Sequence, residues 1–317
     1  MIIFNPTWEE AAAAAASVGA VSAALLYRGK ALAVTVSESG DPRQPGETAS
    51  HQDQDARTAR TARRMVASGR FAREAALVVG LFALWQFAGS FSVMGPDGAL
   101  GRAQWLWDAE RAMRLPSEAW LQRLVLPHPL LMQVFNLYYD ILHFPVLIAC
   151  LIWLFIWHRD RYGPFRITLA VFTGLCLLIQ LIPVAPPRML TGIGMVDSAA
   201  LYGQSVYSSA GGFEADQLSA MPSVHVGWAI LVAIAVITVV RSRWRWLALL
   251  YPVLTTIAVV VTANHFWLDG VAAGIVLAAV LAVQAAVRRV LPGRAAPGAG
   301  REPVSQPAGV MTRSGGG

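Results

Sequence analysis

The sequence predicts an all-α, polytopic membrane protein with a core of six membrane-crossing helices. Three observations predict it. Only 14% of the 317 residues are charged and 56% are hydrophobic, whereas a water-soluble chain needs about a quarter charged residues to cover its surface. Apolar stretches recur at about twenty residues, the length that crosses a bilayer. Arginine clusters fall on one side only of those stretches. An ordinary water-soluble enzyme is excluded, and two cysteines exclude a disulfide scaffold.

The stretches run Ala75–Val93, Leu130–Trp157, Phe165–Pro183, Pro222–Val240, Trp246–Ala263 and Leu268–Val287. The second is long enough to tilt or to begin outside the bilayer. Only Arg241–Arg245 separates the fourth from the fifth, and only Asn264–Trp267 the fifth from the sixth, so each pair forms a tight hairpin. Ala11–Val34 is a further candidate. Arg28 and Lys30 interrupt it, and it reads either as a span or as a helix lying on the surface. It is not read as a cleaved leader, because Glu9 and Glu10 stand where basic residues would. Between Ser37 and Arg73 a polar linker leads into a surface helix from Ala56. The division is therefore 1–72 as N-terminal helix and linker, 73–290 as the membrane domain with its motif-bearing core at 130–287, and 291–317 as a Pro-, Gly- and Ala-rich tail without periodicity, expected to be disordered.

Four arginine clusters share one side if the six spans alternate: Arg57–Arg73, Arg159–Arg166, Arg241–Arg245 and Arg288–Arg294. The positive-inside rule makes that side, and the C-terminus, cytoplasmic. The loops 95–129 and 184–221 then face outward. The net charge of +6 is accounted for by topology and anionic lipid, so no nucleic-acid partner is called for. Cys150 and Cys176 sit inside apolar runs and need no chemical role.

The remaining polar residues converge on the outer edge. His225 opens the fourth span, His265 lies in the turn before the sixth, Asp269 is in its first turn, and Arg188 follows the third. Ionisable residues at membrane helices mark partners or function. Met221-Pro222-Ser223-Val224-His225 reads as a helix start with Pro222 at the first helical position. The free N–H groups of Ser223, Val224 and His225 would then make an anion site at the positive end of the helix dipole. Ser223 adds a hydroxyl donor, and His225 is placed to protonate a leaving oxygen. His265 and Asp269 are four apart and share a helix face. The carboxylate can bind one ring nitrogen and raise the basicity of the other. An imidazole so oriented, beside an anion site, can attack phosphorus, with Arg188 neutralising the non-bridging oxygens. Asn136, Asp140 and His143 fall on one stripe of the second span, as substrate contacts or as an interhelical hydrogen-bond seam.

This constellation resembles the type 2 phosphatidic acid phosphatase superfamily, whose signature joins an Arg-Pro segment, Pro-Ser-Gly-His, and Ser-Arg followed after five residues by His and after three more by Asp. The second part matches as Pro222-Ser223-Val224-His225, with Val for Gly, and the third as His265 and Asp269. Ala258 and Val259 occupy the Ser-Arg positions, and Leu181 stands seven before Arg188. In motif style the chain is most similar to the inositol phosphorylceramide synthase-like branch. Ala185-Pro186-Pro187-Arg188, Asn264-His265-Phe266-Trp267-Leu268-Asp269 and the segment from Asn136 through Tyr139 to His143 carry that likeness.

The resemblance implies cleavage of a lipid-linked phosphate or pyrophosphate at the extracytoplasmic face. His265 would be the nucleophile that forms a phosphohistidine, His225 the general acid, and Asp269 the residue orienting His265. Arg188, Ser223 and the backbone at Val224 would hold the phosphate. Asn136, Tyr139, Asp140, His143 and Asn264 would be substrate or supporting contacts, and the missing arginine would leave either a weakened phosphate clamp or a supplementary donor such as His143 or Tyr139. No metal and no cofactor are implied. The alternative within the family is transfer to a polyol or sugar acceptor.

Two outer segments complete the reading. Gly192–Leu218 is expected to be a mobile lid, and Arg102–Leu124, with Trp105, Trp107 and Trp120, an amphipathic interfacial helix. A transporter is disfavoured because the spans lack the Gly/Pro breaks of a midplane site. Oligomeric state is not encoded in any motif.

Overall fold

A computed structural model of the chain describes residues 7–39, 49–89, 98–204 and 217–290. The described part is helical, apart from a single bridge between Val184 and Ser219. The tail from residue 291 and residues 205–216 of the expected lid lie outside the described residues.

The chain opens with α1 (Trp8–Ser39) and α2 (Ala49–Gly89). Thr7 and Glu10 start α1 by bonding each other's backbone N–H, at 3.3 and 3.0 Å, which is a capping box. The two helices form an antiparallel hairpin on small residues. Ser22 Oγ donates to the carbonyl of Gly69 at 2.8 Å. A Cβ on Gly29 would lie 3.0 Å from the Val66 nitrogen and 3.1 Å from the Ala62 oxygen. Glycine therefore lets the backbones touch. The helix expected from Ala56 begins at Ala49 and runs on into the first apolar stretch as a single helix, with no Pro to interrupt it.

Next come α3 (Ala99–Ala112) and α4 (Glu118–Val125), a short hairpin in place of the single interfacial helix expected. Its turn contains Arg114 at φ 58°, and Ser117 caps α4 by accepting from Trp120 N at 3.3 Å. The long second span is one helix from Pro129 to Trp157, made of α5 (Pro129–Leu137), a π-helical turn (Tyr138–Leu142) and α6 (His143–Trp157). After α7 (Arg159–Gln180) the chain passes through a 3₁₀ turn (Pro187–Met189) and the single-turn α8 (Ser198–Leu201). It finishes with α9 (Val224–Val239), a 3₁₀ segment (Arg243–Leu249) leading into α10 (Leu250–Val261), and α11 (Trp267–Val290).

Among the described residues, five helices are long and apolar enough to cross a membrane: Glu9–Ser37, Pro129–Trp157, Arg159–Gln180, Arg243–Val261 and Trp267–Val290. The chain thus has the architecture of a multi-pass membrane protein. The set differs from the six spans expected. The N-terminal helix, which covers Ala11–Val34, has the length and composition of a span. The stretch from Ala75 is described only to Gly89 and is not in the set. The fourth stretch is apolar but forms the shorter helix Val224–Val239.

That shorter helix is the centre of the bundle. Val224, Trp228, Leu231, Val232 and Ala235 of α9 pack with Leu151 and Leu154 of α6, Leu169 and Phe172 of α7, and Ala273 and Leu277 of α11. A helix apolar on all sides must be buried on all sides, and α9 is. Trp228 Nε1 satisfies itself on Thr173 Oγ1 at 2.9 Å. Chain direction puts Arg159–Arg166, Arg241–Arg245 and Arg288–Arg289 at one end of this bundle and His225 and His265 at the other. At the arginine end Glu74 of α2 pairs with Arg166 of α7 and accepts from Tyr162 Oη at 3.1 Å.

Gly227 sets how closely α9 approaches α7. A Cβ there would lie 2.9 Å from Phe172 Cε2 and nearer still to Cζ and Cε1, and Phe172 is fully buried. Ala is worth about 1 kcal/mol over Gly in a helix, while overpacking a tight core costs about 1–3 kcal/mol or more. Gly227→Ala is therefore expected to lower the unfolding midpoint in detergent. A midpoint at or above that of the parent would show that Phe172 can yield.

Candidate active site

Three chain segments meet at the end of the bundle where α9 begins. The first is the α7–α8 connection. Val184 N donates to the Leu218 carbonyl at 2.7 Å and Ala220 N to the Val184 carbonyl at 3.2 Å. Gln180 Nε2, at the end of α7, reaches the carbonyl of Pro222 at 3.0 Å. These bonds hold the segment before α9 against the segment carrying Arg188.

The second is the start of α9, where one expectation is corrected. The helix begins at Val224 with Ser223 as its N-cap, so Pro222 lies outside the first turn. Ser223 N–H is not free: it donates to the backbone carbonyl of Asp269 at 3.0 Å. The Ser223 hydroxyl oxygen accepts a long bond from Val226 N at 3.5 Å. The first-turn amides of Val224 and His225 have no partner within the helix.

The third is the α10–α11 turn. Asn264 N and His265 N both donate to the carbonyl of Val259, at 3.0 and 3.1 Å. Val259 occupies the place of the signature arginine and packs in an apolar cluster with Val226 and Val260, so no cation stands there. The His265 side chain is 4% exposed as a residue, and Asp269 is fully buried. His265 Nδ1 lies 2.7 Å from the Ala220 carbonyl and 3.3 Å from Asp269 Oδ2. Both partners are acceptors, so Nδ1 carries the proton and Nε2 keeps its lone pair. The tautomer is thus held more closely by a backbone carbonyl than by Asp269, a contact the i,i+4 spacing could not reveal. Asp269 Oδ2 also accepts from Phe266 N at 2.8 Å, which makes the carboxylate a cap for α11 as well.

The rings gather around His225. Its centroid is 5.8 Å from His265, 4.1 Å from His143 and 4.8 Å from Tyr139. Tyr139 is also 6.4 Å from His265. Both Tyr139 and His143 border or lie in the π-helical turn, and a π turn inserts an extra residue that re-aims side chains, often at functional sites. The stripe expected for Asn136, Asp140 and His143 is split by it. Asn136 turns to the α8 region, donating to Gln204 Oε1 at 2.9 Å and accepting from Ser198 Oγ at 2.8 Å. His143 turns to His225, and Asp140 comes within electrostatic range of Arg188.

Arg188 is the cation of the site. Its side chain is 6% exposed and its Nε lies 3.6 Å from Asp197 Oδ2. Nη1 donates to Asn264 Oδ1, and its backbone N to the Ala263 carbonyl at 3.0 Å. Asn264 in turn donates to Thr262 Oγ1 at 2.9 Å. Arg188 is therefore braced against the turn that carries His265.

The sequence model of the PAP2 superfamily matches residues 104–283, more than half of the chain. This chain belongs to the PAP2 superfamily. With membership comes the general chemistry of that superfamily, hydrolysis or transfer at a lipid phosphate, in a helical membrane architecture. No curated protein and no solved structure matches the chain. The matched region includes α4 and most of α3, which the motif-bearing core expected from sequence left out. Glu110, Glu118 and Gln122 of that hairpin are fully buried and were missed, because an acid or amide in a Trp-rich amphipathic segment looks like a solvated face. Gln122 joins the α10 end to the α7–α8 loop, donating to the Val261 and Val196 carbonyls at 2.9 and 2.8 Å. Among the described residues no group of three or more His, Cys, Asp or Glu is arranged to hold a metal ion.

Proposed function

We propose that this member of the PAP2 superfamily cleaves a lipid phosphate ester or pyrophosphate through a phosphohistidine on His265. The observation that carries the reading is the convergence of His265, His225 and Arg188 at one end of the bundle, with Asp269 beneath His265. His265 Nε2 attacks phosphorus as the bond to the leaving oxygen breaks. His225 gives that oxygen its proton. Water or an alcohol then attacks the phosphohistidine, the P–N bond breaks, and the incoming group's proton passes to His225. Arg188, the Ser223 hydroxyl and the Val224 amide balance charge on the non-bridging oxygens. Asp269 supports the positive charge that His265 acquires when phosphorylated.

A lipid donor is supported by the surroundings. An apolar groove of about 280 Å³ runs between α9 and α10, lined by Val226, Ile230, Val253, Ile257 and Trp267. Its lining includes Val226, next in sequence to His225, and Trp267, two residues after His265, so the groove lies close to the site and suits a hydrocarbon chain. The arginine clusters support an orientation with the site extracytoplasmic and the C-terminus cytoplasmic.

Transfer to a polyol or sugar acceptor is the second reading. His143 and Tyr139 against His225, and Asp140 near Arg188, offer polar groups beyond those hydrolysis needs. The buried setting of His265 limits water. The motif likeness to the inositol phosphorylceramide synthase-like branch points the same way. The test is to incubate the purified protein with a panel of lipid phosphates, with and without inositol or glycerol, following free phosphate and new ester. Hydrolysis yields phosphate in both arms. Transfer yields ester only with the acceptor and suppresses phosphate release. Absence of both products across the panel would sink the proposal.

A further inference from the structure

Outside the reacting groups, the α3–α4 hairpin places two fully buried carboxyls, Glu110 and Glu118, against the turn that carries the histidine and aspartate. Glu110 Oε1 accepts from Leu268 N at 2.8 Å, and Leu268 lies between His265 and Asp269. Trp267 Nε1 donates to the Pro116 carbonyl in the hairpin turn at 2.8 Å. The hairpin therefore grips the first turn of α11 at two successive residues. Arg111 Nη2 binds Glu118 Oε2 at 2.7 Å and lies 3.7 Å from Glu110 Oε2.

The charge balance of this corner does not close with both glutamates ionised. With both ionised, two fully buried carboxylates would lean on the one guanidinium of Arg111, and an uncompensated negative charge in a dry site is costly. The oxygens left over tell where the compensation sits. Glu110 Oε2 and Glu118 Oε1 are buried with no hydrogen-bond partner among the described residues, and both carboxyls lie against the same guanidinium nitrogen, Arg111 Nη2, at 3.7 and 2.7 Å. A single proton on Glu110 Oε2, donated to Glu118 Oε1, satisfies both atoms. Glu110 Oε1 then still accepts from Leu268, and Glu118 keeps its pair with Arg111.

We propose that Glu110 and Glu118 share one proton and act as positioning residues, Glu110 in its neutral form holding the catalytic turn through Leu268 and sparing Asp269 another adjacent negative charge. The electrostatics agree. Burial first, and then Glu118 beside it, push the Glu110 carboxyl up to about 9 from an ordinary 4.5, against the lowering effect of the Leu268 N–H. A carboxyl raised in the folded state takes up a proton on folding between those values. Its stabilising effect is complete below about 4.5 and is lost as pH rises through about 9.

The functional half of this inference rests on the phosphatase or transferase reading above; the structural half does not. Glu110→Gln mimics the neutral acid, its carbonyl accepting from Leu268 and its amide donating to Glu118. In the full-length protein the unfolding midpoint of the parent is expected to fall between pH 5 and 9, and in Glu110→Gln that fall should shrink by at least half. With a lipid phosphate substrate at pH 7, Glu110→Gln should stay within about threefold of the parent, and Glu110→Ala, which strands a buried N–H, should lose about tenfold or more. Above pH 9 the glutamine variant should outlast the parent. Identical midpoint–pH curves for parent and Glu110→Gln would overturn the shared proton. A Glu110→Gln as impaired at pH 7 as Glu110→Ala would show that the charge itself is required. If the parent turns over no lipid phosphate, the proposed chemistry fails while the midpoint comparison still decides the pair.

Discussion

Replacing His265 with alanine is expected to lower phosphate release and transfer by about four orders of magnitude or more, since in the proposed mechanism it removes the atom that takes the phosphoryl group. The fold should tolerate the change. The turn around His265 is held by backbone bonds to Val259 and by Phe266 N–H on Asp269, neither of which needs the imidazole. What disappears is a nitrogen nucleophile whose proton is fixed on the far side by the Ala220 carbonyl. The measurement is single-turnover reaction with ³²P-labelled lipid phosphate, quenched to trap an acid-labile phosphoprotein. The parent should label and His265→Ala should not. A variant that labels, or that turns over at the parent rate, would remove His265 from the mechanism.

Arg188 should have the second largest effect. Losing one preorganised charge-stabilising donor costs about 10²–10³ in rate, and Arg188→Ala is expected to lose that much in kcat/KM. Arg188→Lys should recover only part. The guanidinium reaches Asn264 through Nη1 and Asp197 through Nε, and an ammonium on a flexible stem cannot span both while facing a phosphate. Because Arg188 is also a brace for the α10–α11 turn, the unfolding midpoint must be read alongside. A rate loss with an unchanged midpoint assigns the effect to phosphate binding. A rate within about threefold of the parent would mean that another group carries the charge, since the signature position at Val259 cannot.

Much of this was legible before any coordinates. An apolar stretch of about twenty residues cannot lie in water or form an open sheet in lipid, so its length already implies a membrane helix. The spacing of Pro222, Ser223 and His225, and of His265 and Asp269, is local to a helix start, and local spacing survives folding. Boundaries were less legible. The helix from Ala49 continues into an apolar stretch without a stop signal, and α9 proved short because Ser223 caps it and the chain leaves the helix after Val239.

What composition and spacing determined by themselves is the class of the molecule: membrane-embedded, helical, with arginine at one end and histidine at the other. Those properties depend on how each segment meets solvent or lipid, which a segment decides alone. Tertiary structure decided which groups touch. Ala220 reaches His265 across 45 residues, Arg188 reaches Asn264 across 76, and Glu110 reaches Leu268 across 158. No local rule encodes such pairs, because each is the residue of packing many helices at once. The π turn splits a stripe that helical spacing would keep together, and burial encloses two acids of an amphipathic segment, Glu110 against the turn that carries His265. Desolvation exists only once the chain has closed around a group, so the electrostatics of this site belong to the fold and not to the sequence read residue by residue.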